Sequence, residues 1–350
     1  MIWLTWRQFR VQFLVVATVV LAALIFLAAT GPGLLDQYHE LAGNFIKNLG
    51  LERLNPLLYQ FGIVLPYVVP PVIGAFWGAP LIARELETGT HRLVWSQSIS
   101  RWRWLAVKLG VTGLSAVGLA GLLSLATTWW SAPIDDALNA GQDSNSYLPR
   151  MFPSTFGSRA LVPVGYAAFA FALGVAVGLV VRRTIVALAV TLAVVILVEI
   201  LAPSLIRPHL LQPTDKYVVA TADNIRGFMI NGDESNPTVK QIEVASNAVG
   251  AWKLYDRTVD KSGKALSSLP SWTIKCAPGG PGPGSGKPAV SPADQAACFQ
   301  RLADEGYRQH IKYFTADKFW ALQWREFGLF LALALLLTGF SFWRIRRDLS

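Results

Sequence analysis

Six stretches of the chain are apolar over the length that crosses a bilayer, and polar residues gather between them. A hydrocarbon core about 30 Å thick takes about 20 residues of helix. Runs of that order cover Phe13 to Thr30, Gly62 to Ala83, Leu105 to Trp130, Ala160 to Val181, Thr184 to Leu205 and Phe327 to Trp343. They predict an all-α polytopic membrane protein of six transmembrane helices, joined by short loops except for one long segment, residues 207–325. The first run has two readings. Arg7 and Arg10 precede it and Ala28-Ala29 close it, as in a secretory signal peptide, but it exceeds an ordinary signal core and is read as an anchor helix. Ahead of it, Ile2, Trp3, Trp6 and Phe9 oppose Arg7, Gln8 and Arg10, which predicts a helix lying flat in the interface.

The long segment changes character. Its polar composition predicts a small α+β domain between the fifth and sixth spans. Trp252 to Val259 and Ala265 to Ile274 flank Asp260-Lys261-Ser262-Gly263-Lys264, the signature of a hairpin with a glycine-containing loop. Ser291, followed by Pro292, is placed to N-cap a helix running to about Tyr313. The domain plan is therefore residues 1–206 for the interfacial helix, five spans and a cytoplasmic loop over 84–104; 207–325 for the inserted domain; and 326–350 for the sixth span and a basic tail.

Composition agrees with a chain that meets lipid: of its 350 residues 53% are hydrophobic and 15% charged, and its mean hydropathy is +0.39. The excess of 31 Lys+Arg over 22 Asp+Glu is what membrane topology produces, and it argues against nucleic acid as a partner. Basic residues collect in cytoplasmic loops. One set of short segments holds twelve: Arg7, Arg10, Arg84, Arg92, Arg101, Arg103, Lys108, Arg182, Arg183, Arg344, Arg346 and Arg347. The opposite loops hold four: Lys47, Arg53, Arg150 and Arg159. An even number of spans puts both termini on one side, so both are expected in the cytoplasm and residues 207–325 outside. There Cys276 and Cys298 bracket a Pro/Gly-rich loop, and an oxidising exterior would let them bond, two separate buried thiols being the other reading.

Candidate chemistry inside the membrane is sparse. Residues 281–288 approach a phosphate-binding loop, but Pro281 and Pro288 replace its first glycine and its hydroxyl, so no ATP site is read there. Four scattered histidines form no cluster. An ionisable group in a span costs about 2.5 to 3.5 kcal/mol on insertion scales, and only Glu199 lies within a run, near the outer end of the fifth. It is either a carboxylate reaching headgroups or a neighbouring helix, or a gate or substrate contact. Lys108, at the start of the third run, can snorkel to the inner surface. Pro66, Pro70 and Pro71 are expected to kink the second span. Gly174 and Gly178, four apart in the fourth span, permit close helix approach and offer a face for a second copy.

The loop from Leu81 to Gly110 carries most information. Gly89 is placed to end the second span as a left-handed cap, Thr90 to cap a short helix through about Gln97, and Ser100 to cap the third span. Glu87-x-Gly89-Thr90, then Ser100-Arg101, then Lys108, resembles the ABC-2 family of transporter permeases, as do the amphipathic N-terminus, Arg182-Arg183 and the short last span closed by Arg344 to Arg347. The resemblance implies that this loop is a coupling helix resting on a separate ATPase subunit, with Glu87, Gly89, Thr90, Arg92, Ser100 and Arg101 as the contact set. It further implies two copies of this chain with two ATPase subunits, ATP and Mg on the partner alone, no catalytic residues or metal here, and export of an amphipathic or hydrophobic molecule across the plasma membrane. It assigns no role to residues 207–325. The competing reading is a sensor or scaffold whose outer domain binds a ligand.

Overall fold

A computed structural model of the chain describes residues 2–49, 54–89, 100–142, 146–221, 223–231, 238–245, 249–277 and 291–348. The chain divides into two compact units, residues 1–211 with 316–350, and residues 212–315.

The first unit is helical. Among the described residues six segments are long and apolar enough to cross a membrane: Thr5–Leu49, Asn55–Glu87, Arg101–Asn139, Val162–Val181, Thr184–Leu210 and Ala316–Arg347. Five of them extend beyond the apolar run from which they were read, because backbone hydrogen bonds unmet by water propagate the helix to the next polar breaker, while the fourth begins two residues inside its run, at Val162. One expectation fails at the start. Residues from Ile2 belong to the same helix as the first span, Ile2–Leu41, so no separate interfacial helix precedes it. Of the apolar residues that suggested one, Trp3 and Trp6 are exposed and continue the outward stripe of Val11, Leu14 and Val15, while Phe9 is buried with its ring 4.6 Å from that of Trp77.

The fourth span is the hub, packing against the second, third, fifth and sixth, while the first packs mainly on the third. Its centrality follows from small residues. Gly174 faces the second span so closely that a Cβ there would lie 2.2 Å from the Gly74 carbonyl oxygen, and one on Gly178 would lie 2.5 Å from that of Ala79. Reciprocally, a Cβ on Gly74 or Gly78 would strike the backbone oxygens of Ala170 (2.7 Å) or Phe171 (2.5 Å). The two glycine pairs therefore seat two helices of one chain against each other, and Gly174-x-x-x-Gly178 is not free for a second copy.

The second span is not a uniform helix. Pro66, Pro70 and Pro71 lie inside its Leu54–Ile73 portion, a single π turn follows at Gly74–Gly78, and Ala79–Glu87 completes it. Proline removes a donor from the ladder, and a wide turn is one way the freed carbonyls are accommodated. That turn is the surface against which the fourth span's glycines pack.

Among its described residues the second unit holds two antiparallel sheets. β1 (Thr214–Val219), β5 (Arg308–Phe314) and β4 (Trp252–Val259) form one with β5 central, and β2 (Ile225–Asn231) with β3 (Thr238–Val244) form the other. A core of Val239, Ile242, Leu269, Leu302 and Tyr307 joins the β2–β3 pair to the helix Pro292–Asp304. Two expectations need correction here. The turn at Asp260 forms, its Oδ1 accepting from the amides of Ser262 (2.8 Å) and Lys264 (3.0 Å). Beyond it, however, only Ala265 pairs back, with Val259. Pro270 has no amide for a ladder, and β4 takes β5 as its partner instead. The helix capped by Ser291, whose Oγ accepts from Asp294 N–H at 3.1 Å, ends at Asp304. Gly306 at φ +76° stops it, and the alternating burial of Arg308–Phe314 makes that stretch a strand. Cys276 and Cys298 are brought together, their Cα atoms 5.4 Å apart.

Candidate functional site

At the end of the bundle bearing the basic residues, Gly89 adopts φ +72° and its amide reaches Leu86 O at 3.4 Å, so it closes the second span as a left-handed cap. Ser100 caps the third, its Oγ accepting from Arg103 N–H at 3.3 Å, and Arg101 is the first helical residue. Thr90, Arg92 and the short helix expected through Gln97 fall outside the described residues. Glu87 makes a contact that spacing could not reveal. Its Oε2 accepts both the backbone N–H (2.9 Å) and the hydroxyl (2.6 Å) of Thr184, the first residue of the fifth span's helix. A carboxylate at a helix N-terminus satisfies an orphan amide and meets the positive end of the dipole. The loop's first anchor is thereby clipped to the fifth span.

The same end holds Lys108, which does not snorkel. It is 3% exposed, with Nζ 2.5 Å from Glu85 Oε1 and 3.4 Å from Leu81 O. Across the loop, the tail folds onto the third span, with Trp102 stacked on Phe342 at 4.4 Å and the Arg346 guanidinium 5.0 Å over Trp102.

At the opposite end of the bundle the charges are more numerous than the apolar runs suggested. Arg207 and Glu326, both 0% exposed, form a two-pronged pair, Nε to Oε2 at 2.7 Å and Nη2 to Oε1 at 3.1 Å. Arg207 Nη1 also donates to Pro153 O at 2.9 Å, the guanidinium sits 4.3 Å over the Phe156 ring, and the Tyr166 hydroxyl donates to Glu326 Oε1 at 2.9 Å. One turn earlier, Gln323 Oε1 accepts the amides of Leu161 and Val162, each at 3.0 Å, capping the fourth span. A second pair is looser. Arg159 Nε lies 3.8 Å from Asp135 Oδ2, while Asp135 Oδ1 and Arg159 Nη2 are buried with no hydrogen-bond partner among the described residues.

Glu199 stands apart from these. It is 8% exposed, and its Oε1 is buried with no hydrogen-bond partner among the described residues. It lines a cavity of about 360 Å³ between the second and fifth spans, walled by Ile63, Tyr67, Val68, Pro71, Leu192 and Ile196. Of the three prolines, Pro71 is therefore a wall of this cavity.

Among known proteins, the sequence model of the family described as ABC-2 membrane transporter related matches residues 15–207. No curated protein and no solved structure matches the chain.

Proposed function

Because the chain belongs to the ABC-2 membrane transporter related family, we propose that it is the membrane-spanning subunit of an ATP-driven exporter. In this reading two copies form the pathway, and two partner ATPase subunits hydrolyse ATP with Mg. The termini and the 84–104 loop face the cytoplasm, the inserted unit of residues 212–315 lies outside the plasma membrane, and Cys276 and Cys298 are joined there as a disulfide. The cargo is amphipathic or hydrophobic, and no bond is made or broken by this chain.

The observation that carries the reading is the clip between Glu87 and Thr184. A partner pressing on the loop that starts at Thr88 pushes the end of the second span, and the clip passes that displacement to the fifth. Above the loop, the π turn at Gly74–Gly78 is a place where the second span can change pitch without leaving the fourth. Glu87, Gly89 and Thr90 would then serve as the receiving edge, with Arg92, Ser100 and Arg101 on the returning arm.

The test is purification of tagged protein from its native membrane in mild detergent, with ATP hydrolysis assayed for wild type and Glu87→Ala. A stoichiometric ATPase, lost or uncoupled in the variant, supports the reading. No ATPase from an intact oligomer would overturn it in favour of a sensor with a ligand-binding outer domain.

A further inference from the structure

The carboxylate of Glu199 poses a question the export reading leaves open. A buried carboxylate without a counter-charge is costly in an apolar setting, and such groups are normally paired or neutralised. Its neighbours cannot supply one. Among the described residues the walls, Ile63, Tyr67, Pro71, Ser154, Leu192 and Ile196 foremost, bear no positive charge. The nearest cation in the sequence, Arg207, has its guanidinium engaged by Glu326 and Pro153. The cavity itself, at about 360 Å³, falls within the range of about 300 to 1,000 Å³ over which proteins enclose small molecules. It is an open groove with apolar walls and one carboxyl group whose Oε1 has no hydrogen-bond partner among the described residues.

We propose that this cavity binds a lipophilic monocation, with the charge held at Glu199 and the apolar body held by Tyr67, Pro71, Leu192 and Ile196. One carboxylate matches one positive charge, and a dication would leave its second charge in an apolar wall. A neutral molecule of the same bulk would fill the walls yet leave the carboxylate unanswered. An anion would find no positive charge among the described walls to hold it. The proposal rests on the exporter reading only in treating the bound cation as cargo, and it narrows that cargo from hydrophobic molecules in general to those carrying a single positive charge.

The test is equilibrium binding of radiolabelled tetraphenylphosphonium to the full-length chain in phosphatidylcholine nanodiscs, without ATP or any partner and with empty discs subtracted. Wild type is expected to bind saturably. Glu199→Gln should weaken binding on the order of tenfold or more, since removing one member of a buried charge pair is costly, and Glu199→Asp should retain most of it. Leu192→Trp, which fills the cavity while keeping the carboxylate, should abolish binding. Neutral triphenylphosphine oxide should compete poorly. The proposal is overturned by an absence of saturable binding, by equal affinity of wild type and Glu199→Gln, or by competition from the neutral compound as effective as from the cation. It is also overturned if Glu199→Gln leaves binding intact and changes the oligomeric state, for the carboxylate would then belong to an interface between copies. Binding without a co-purifying ATPase would sink the exporter reading and leave the cation site standing; the reverse pattern would do the opposite.

Discussion

Glu326 and Glu199 lie in different spans, both toward the end of the bundle remote from the termini, and both are almost wholly removed from solvent. The first is answered on every side: by a two-pronged guanidinium, by a tyrosine hydroxyl and, through Arg207, by the Pro153 carbonyl. The second faces an apolar cavity with one oxygen unmatched. Burial alone therefore does not say what a membrane carboxylate is for. Glu326 draws the fourth, fifth and sixth spans together and is used up in doing so. Glu199 has capacity to spare, and only such a group can recognise a molecule that comes and goes.

The strongest way to break this contrast is to make Glu326 resemble Glu199. Arg207→Met strands a fully enclosed carboxylate, and breaking a buried pair in this way costs about 3 to 5 kcal/mol. The thermal unfolding midpoint in detergent should drop sharply and the yield of folded protein with it. The double variant Arg207→Met with Glu326→Leu should recover most of the loss, because no uncompensated charge remains. Equal midpoints for the single and double variants would mean that the pair does not act as a unit.

Glu199→Leu probes the other half of the comparison and should have the opposite sign. Replacing a charge that costs about 2.5 to 3.5 kcal/mol on insertion scales with an apolar side chain should leave the midpoint unchanged or raise it. A fall comparable to that of Arg207→Met would show that Glu199 has a structural partner after all.

The spans themselves were legible because bilayer thickness imposes a length that composition cannot disguise. The caps at Gly89, Ser100 and Ser291 were legible too, since each depends on one residue's backbone or hydroxyl and on its immediate neighbours. The buried pairs were not. Arg207 and Glu326 are 119 positions apart and sit just beyond apolar runs, where a charge is read as the start of a water-exposed segment. Arg159 and Asp135 escaped notice for the same reason. A signal was present in that Arg207 falls only two residues after the run ending at Leu205 and Glu326 one before Phe327, opposite charges at facing span ends. The π turn was hidden because three prolines announce a disturbance and not its form. In the inserted unit, β5 was mistaken for the end of a helix, although Gly306 separates the two stretches. Its partner β4 lies far back in the chain, and pairing over that distance leaves no local mark.

A third carboxylate tests what happens when the partner is a helix end and solvent is close. Glu87 is exposed, so its bond to Thr184 contributes to local order and little to the global midpoint. Glu87→Ala should speed hydrogen exchange at the Thr184 amide and in the first turn of the fifth span, measured by mass spectrometry on the detergent-solubilised chain. Glu87→Gln, which retains an acceptor oxygen, should restore part of the protection. If exchange in that turn were the same in all three proteins, the clip would not link the second span to the fifth, and the coupling route would have to run through the fourth.

The mildest case lies outside the spans, at Asp215 on β1. Its Oδ1 is 2.6 Å from His310 Nε2 and its Oδ2 is 3.1 Å from Lys312 Nζ, both partners on β5. Desolvation pushes its carboxyl upward, but the hydrogen bonds from Lys312 and then His310 outweigh that and hold it below its ordinary value of 3.8. The sign follows from linkage. A group whose folded value is depressed stabilises the fold at any pH above its ordinary value and loses that contribution as pH falls through the folded one. Protection of the β1–β5 amides, corrected for the intrinsic pH dependence of exchange, should therefore stay level down to about pH 4 and decline below it. Asp215→Asn should start lower and show no such decline. Exposed pairs of this kind contribute little, so the effect belongs to one strand pairing and not to the whole unit. A wild-type profile as flat as the variant's would show that the two bonds across β1 and β5 hold no charge in place, leaving Glu326 as the carboxylate in this series whose partners decide stability.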